Sequence, residues 1–293
     1  MKYTLKKQSA GYLSAEPKPS SEELDRFYKN LYYKNGVTTT YSFDYSGEEL
    51  EYKELRAKAT REFISENLRG LTHPTVLDIG CGEGFFVAAA NQSGWTCHGV
   101  DYQRSPFLRF NPDYIDFFIE GSPADFLEEQ INSGNRYDVI VLQNVLEHVV
   151  NPSDLLQRIK RILTTEGFLF VQVPNDCSSL QQLAISCDRS EGNEWFCPPQ
   201  HLTYFNNENI ESFVNSEGYD VVDVFADFPI ELYLFGSKTN YLKDREVGPL
   251  AHSARIMIDL MMSKSGLKHY VDFYRSAFRV GLCRNLVVLL KLK

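Results

Sequence analysis

From residue 75 onward, short apolar runs alternate with segments whose apolar residues recur at helical spacing. Residues 75–79, 95–100, 116–120, 137–142 and 167–173 read as strands; 84–93, 123–132 and 152–163 read as helices, with a further short helix after residue 101. Gly94 and Gly134 punctuate the pattern, and Asn151-Pro152 puts a cap and a first-turn proline at a helix start. Strands alternating with helices predict a parallel sheet with helices on both faces. Right-handed crossovers then bring every strand's C-terminal end to one rim, where ligands bind. Upstream, residues 1–20 read as loop. Ser20 or Ser21 caps a helix to about Tyr33, and 34–46 is irregular. Ser46 with Glu49 forms a capping box for a charged helix over 47–69, stopped by Gly70. Downstream, a polar and aromatic connection runs through Trp195 to Phe205. A helix from Asn206 or Asn207 to Glu217, a strand over 219–225, helical stretches near 256–262 and 270–278, and a strand over 285–290 complete the chain.

The rim carries the chemistry. Val76-Leu77-Asp78-Ile79-Gly80-Cys81-Gly82-Glu83-Gly84-Phe85-Phe86 is a strand that ends in an acid and opens into a loop with glycine at every second position. These glycines let backbone approach a ligand with no Cβ in the way. The next strand ends in Asp101, placed to accept ribose hydroxyls. A dinucleotide fingerprint needs G-x-G-x-x-G, and here Phe85 stands where its third glycine belongs. No Walker-type G-x-x-x-x-G-K-[ST] is present. A nucleoside cofactor without phosphate fits this loop.

Residues 76–86 resemble the first motif of the class I S-adenosylmethionine-dependent methyltransferases, and Asp101 resembles that family's ribose acid. Tyr137–Val141 followed by Leu146-Glu147-His148, and Leu163–Val171, are similar to its fourth-strand and fifth-strand regions, so the likeness spans about residues 75–225. The Leu-Glu-His triplet is close to ubiquinone-pathway O-methyltransferases and bacterial sugar methyltransferases. The resemblance implies a Rossmann-like doubly wound α/β sheet, mostly parallel, with an antiparallel last strand beside the fifth. It implies S-adenosylmethionine as cofactor, held by Asp78, Gly80, Cys81, Gly82, Gly84, Asp101, Tyr102, Ser122, Gln143 and Asn144. Ser122 departs from the acid that the family often carries there. Residues 1–73 are then an N-terminal helical cap, 74–228 the cofactor-binding core, 229–281 a mainly helical insertion near the acceptor side, and 282–293 the last core strand.

A net charge of −9 argues against unassisted nucleic-acid binding. No stretch approaches 18 apolar residues, so no membrane span is expected, and the N-terminus lacks a secretory apolar region. Six cysteines without a C-x-x-C pair read as free thiols in the cytoplasm, and no metal is expected. Residues 251–293 hold eight Lys/Arg against two Asp/Glu. They read as a solvated face, as a basic wall for a phosphate-bearing acceptor, or, with their apolar residues, as a homodimer face within 229–281.

Pro198–Phe205 follows the fifth strand on the acceptor side. It offers His201 as general base and Tyr204 beside it, while His148 reads as packing of its turn. The expected reaction is methylation of a small hydroxylated metabolite, most readily O-methylation of a sugar or nucleotide-sugar. N- or C-methylation, or a non-catalytic cofactor-binding partner subunit, are the alternatives.

Overall fold

The structure, a computed structural model, describes residues 3–27 and 44–293. The chain opens with β1 (Thr4–Lys7), β2 (Leu13–Glu16), α1 (Ser21–Phe27) and α2 (Gly47–Ser65). The alternating core follows: β3 (Thr75–Ile79), α3 (Phe85–Gln92), β4 (Thr96–Asp101), α4 (Arg104–Phe110), β5 (Phe118–Glu120), α5 (Pro123–Ser133), β6 (Tyr137–Gln143), α6 (Pro152–Lys160) and β7 (Leu163–Pro174). The last third carries α7 (Ser179–Ser186), β8 (Thr203–Tyr204), α8 (Ile210–Ser216), β9 (Tyr219–Ala226), α9 (Gly248–Ser263), α10 (Leu267–Arg279) and β10 (Asn285–Leu292).

Seven strands form one sheet in the order β5-β4-β3-β6-β7-β10-β9, with β10 antiparallel to both its neighbours and the rest parallel. This is the doubly wound, Rossmann-like architecture with the antiparallel last strand slotted beside β7. The central strands are covered on both sides, so they are near-continuous apolar runs; Val139–Leu142 and Leu286–Leu290 are buried throughout. From α2, Phe63 stacks on Phe225 at 5.3 Å and meets Phe170 edge-on at 6.2 Å, which fixes α2 against the sheet.

Three expectations are corrected. Residues 4–7 and 13–16 are strands, not loop; they form a hairpin completed by β8 as a second, three-stranded sheet. The N-terminal cap is therefore not purely helical, and its partner lies far along the sequence. β7 starts at Leu163 rather than 167, because Tyr137 pairs with Leu163 before a register shift, and α6 stops correspondingly early at Lys160. The helix expected over 47–69 ends at Ser65, short of Gly70. The helix expected to reach Tyr33 is described only to Phe27; its remainder, and 34–43 of the irregular stretch, lie outside the described residues.

Candidate functional site

An open cleft of about 760 Å³ lies where β3 and β6 end. Asp78, Gly80, Cys81, Gly82, Gly84, Gln143 and Asn144 line it, joined by Lys53, Arg56 and Glu83. The loop's conformation explains its glycines. Gly82 and Gly84 take φ of +53° and +78°, in the left-handed region. A Cβ on Gly84 would stand 2.3 Å from the buried Phe107 ring.

Asp101 does more than face a ligand. Gly82 N–H donates to its Oδ2 at 2.9 Å and Tyr102 N–H to its Oδ1 at 2.6 Å, so the carboxylate ties the glycine loop to the end of β4. Asp78 is 1% exposed, and its Oδ1 has no hydrogen-bond partner. Burial, with the charge of Asp101 added, pushes its pKa up to about 8. Asn144 adopts φ of +55°, which asparagine tolerates, and its N–H donates to Gln172 O at 2.9 Å. Tyr102 is half-buried beside Asp101. Ser122 is engaged as the N-cap of α5, its Oγ accepting from Asp125 N–H at 3.3 Å.

Sequence reasoning missed the contribution of α2. Lys53 Nζ reaches Glu83 Oε2 at 2.6 Å, and Tyr45 OH donates to Glu83 Oε1 at 2.5 Å. Asn111 Nδ2 donates to the Glu83 carbonyl at 2.7 Å. Arg56, one turn from Lys53, donates to Ala226 O and Tyr270 OH at 3.2 and 3.3 Å. Two cations three residues apart on one helix face were the available signal.

In the turns after β6 and β7, the buried Glu147 and Asp176 come together with His148 and His201, whose side chains are 13% exposed. One ligand atom from each of Glu147, His148 and His201 lies within 4.8 Å of the others, close enough to surround a small cation. Both Glu147 carboxylate oxygens, His201 Nδ1 and Asp176 Oδ2 lack hydrogen-bond partners. His148 Nδ1 pairs with Gln200 O at 2.6 Å, so that nitrogen donates, and Nε2 faces Glu147 Oε1 at 3.7 Å. His201 Nδ1 stands 3.7 Å from Asp176 Oδ2, whose Oδ1 is held by Arg284 at 3.3 Å.

Charge follows from this packing. Burial, opposed by the charge of His201, brings Glu147 up to about 7. Burial and then His201 drive His148 down to about 3. Burial also works against the His201 cation, but Asp176, Cys197 and Glu147 outweigh it and hold its pKa at about 10. His201 is thus an imidazolium at neutral pH, not the unperturbed base expected from its place in the loop. Tyr204 is 2% exposed and donates to His201 O at 2.9 Å; burial raises its pKa strongly, so it props the loop.

The comparisons agree with this geometry. Residues 50–224, more than half of the chain, match the family model of a methyltransferase domain. The ubiquinone biosynthesis O-methyltransferase of Glaesserella parasuis is 30% identical over 133 residues, 42% of this chain and 55% of that protein. That of Pasteurella multocida is 27% identical over 126 residues, 39% of this chain and 51% of that protein. The chain thus spans about half the length of the curated relatives it matches. In fold it is similar to a SAM-dependent methyltransferase from Archaeoglobus fulgidus, with 17% identity, TM-score 0.50, and 82% of this chain and 94% of that chain covered. It is likewise similar to the plantazolicin methyltransferase solved with S-adenosylhomocysteine, with 14% identity, TM-score 0.51, and coverage of 92% and 94%. Among the described residues no helix is long and apolar enough to cross a membrane. The chain belongs to the class I S-adenosylmethionine-dependent methyltransferases.

Proposed function

We propose that the cleft holds S-adenosylmethionine for O-methylation of a small hydroxylated acceptor. One observation carries the cofactor's placement. A buried, unpartnered Asp78 oxygen lines the same cleft as Lys53 and Arg56. An acid and two cations in one cleft suit an amino-acid tail, with its ammonium toward Asp78 and its carboxylate toward the cations. The glycine loop leaves room for backbone contact, and Asp101 stands at the end of β4 beside that loop, where the resemblance puts the ribose acid. When bound, the cofactor supplies an electrophilic methyl group. The chain's own residues bind, orient and exclude water, and orientation accounts for about 7–11 kcal/mol of barrier in well-aligned models.

The acceptor's proton needs a home. We assign it to the Glu147–His201 pair rather than to His201 alone. Glu147 is the member poised near neutrality, and His201, held protonated, orients it. The O-methyltransferase names of the relatives support a hydroxylated acceptor, and a sugar or nucleotide-sugar is the class we put first. Two measurements test the reading. Calorimetry with S-adenosylhomocysteine should show binding that Gly82→Val abolishes; unchanged affinity would remove the cleft assignment. A screen of sugar nucleotides and quinone precursors with labelled cofactor should yield an O-methylated product; an N-methylated one would displace the hydroxyl reading.

A further inference from the structure

The two cations that line the cleft are held in different ways. Lys53 Nζ is spent on the Glu83 carboxylate at 2.6 Å. Arg56 bonds only neutral oxygens among the described residues: Nη1 donates to Ala226 O at 3.2 Å and to Tyr270 OH at 3.3 Å. Its guanidinium carbon stands 5.0 Å from the centre of the Phe225 ring and 6.0 Å from that of Tyr274. Phe225 and Ala226 come from the end of β9, and the two tyrosines come from α10, one turn apart. The guanidinium is thus flanked by a carbonyl, a hydroxyl and two aromatic rings, none of which carries a negative charge. Both of its bonds start from Nη1, so among the described residues the other edge of the fork makes no bond to protein.

A carboxylate in the place of Tyr270 would hold Arg56 as firmly but would cancel its charge. A phenol does not: burial drives the Tyr270 pKa strongly up, so its hydroxyl stays neutral at physiological pH. The groups behind it are costly ones. Tyr270, Tyr274 and Asp259 of α9 are 1%, 0% and 0% exposed. Tyr274 OH donates to Asp259 Oδ1, while Asp259 Oδ2 has no hydrogen-bond partner. The two tyrosine rings meet edge-on at 5.0 Å, so the Tyr274–Asp259 contact braces the ring that carries the Tyr270 hydroxyl. Phenylalanine at both positions, with an apolar residue at 259, would pack α9 and α10 on α2 without burying any polar group. We propose that Tyr270, braced by Tyr274 and Asp259, is a positioning residue: it fixes Arg56 with its open edge free for the carboxylate of the cofactor's amino-acid tail, and so makes α10 a part of cofactor recognition. This rests on the cleft reading above. Fixing the guanidinium before the ligand arrives removes side-chain entropy from the cost of binding.

The test is calorimetry of the full chain with S-adenosylhomocysteine and with methylthioadenosine, which shares the nucleoside but lacks the amino-acid tail. Tyr270→Phe should weaken S-adenosylhomocysteine about fivefold and leave methylthioadenosine unchanged, which also shows that the variant folds. Tyr274→Phe, an independent variant, removes the brace while the Tyr270 hydroxyl stays, and should shift the ratio of the two affinities in the same direction. Arg56→Met should weaken S-adenosylhomocysteine about 10- to 100-fold, and adding Tyr270→Phe to it should cost nothing further, because both act through one contact. An unchanged affinity ratio in the two phenylalanine variants would overturn the proposal, since a merely structural tyrosine weakens both ligands equally. So would losses that add in the double variant. If Arg56→Met binds S-adenosylhomocysteine like the wild type, the carboxylate assignment in the cleft fails and takes the proposal with it. A loss in Arg56→Met without one in Tyr270→Phe leaves the cleft reading standing and overturns the proposal alone.

Discussion

Asp101→Ala should damage the protein before any ligand is added. The carboxylate accepts from Gly82 N–H and Tyr102 N–H at 2.9 and 2.6 Å. Hydrogen bonds to a charged group contribute about 1.5–3 kcal/mol each, so losing both sets a ceiling of roughly 3–6 kcal/mol. Two effects reduce it. Tyr102 is half-buried, so water reaches its N–H, whereas Gly82 is buried and its donor is left unpaired. Removing Asp101 also relieves Asp78, whose pKa its charge helps to raise. A net loss of about 2–4 kcal/mol remains. Urea unfolding of the ligand-free variant measures it, and calorimetry with S-adenosylhomocysteine measures the accompanying loss of affinity. Asp101→Asn keeps one acceptor oxygen and should lose about half as much stability. If Asp101→Ala unfolds at the wild-type urea midpoint yet binds poorly, the carboxylate serves the ligand alone and the loop-tying role is refuted.

Gly84→Ala sets a methyl against Phe107 at a left-handed φ, and urea unfolding should show a loss of about 2–5 kcal/mol. Asp78 has a folded pKa of about 8, above the usual carboxylate value of 3.8, so the folded protein holds a proton that the unfolded chain gives up. Its contribution to stability is full below about pH 4 and is lost as pH rises to about 8, by up to about 6 kcal/mol, and Asp78→Asn should flatten that slope in ligand-free unfolding. Glu147→Gln should cut turnover about 10²–10⁴-fold and remove a pH step near 7, with S-adenosylhomocysteine affinity intact; a wild-type profile without that step would return the proton to another group. Lys53→Met removes the cation from Glu83, which is 7% exposed and keeps the Tyr45 hydroxyl on its other oxygen, and should cost about 1–3 kcal/mol in urea unfolding.

The sheet was legible because its strands and helices follow short periods, each readable within a dozen residues. The glycine loop was legible because its backbone demands are met by the local sequence. The N-terminal hairpin was not, because Leu13 and Ser14 find their sheet partners in Tyr204 and Thr203. A strand whose pairing closes over nearly two hundred residues leaves no periodic trace. The start of β7 was missed for a related reason. Leu163 pairs with Tyr137 across a register shift, and strand extension through a bulge is a tertiary decision.

The same distinction separates the two sides of the site. A cofactor cradle made mostly of backbone depends on glycines that announce themselves. Protonation depends on charge, and at His201 burial is outweighed by Asp176, Cys197 and Glu147, of which Asp176 and Glu147 arrive from the turns after β7 and β6. Sequence placed the histidine on the correct loop but could not supply its neighbours, so it assigned the ordinary imidazole pKa. Packing reverses that assignment. The residue that looks like a base becomes a held cation, and the acid inside the Leu-Glu-His triplet becomes the group that titrates near neutrality. A carboxyl with both oxygens buried and unpartnered is hard to maintain unless a proton or a small cation visits it. The folded protein has therefore concentrated at Glu147 an electrostatic cost that protonation near neutral pH relieves.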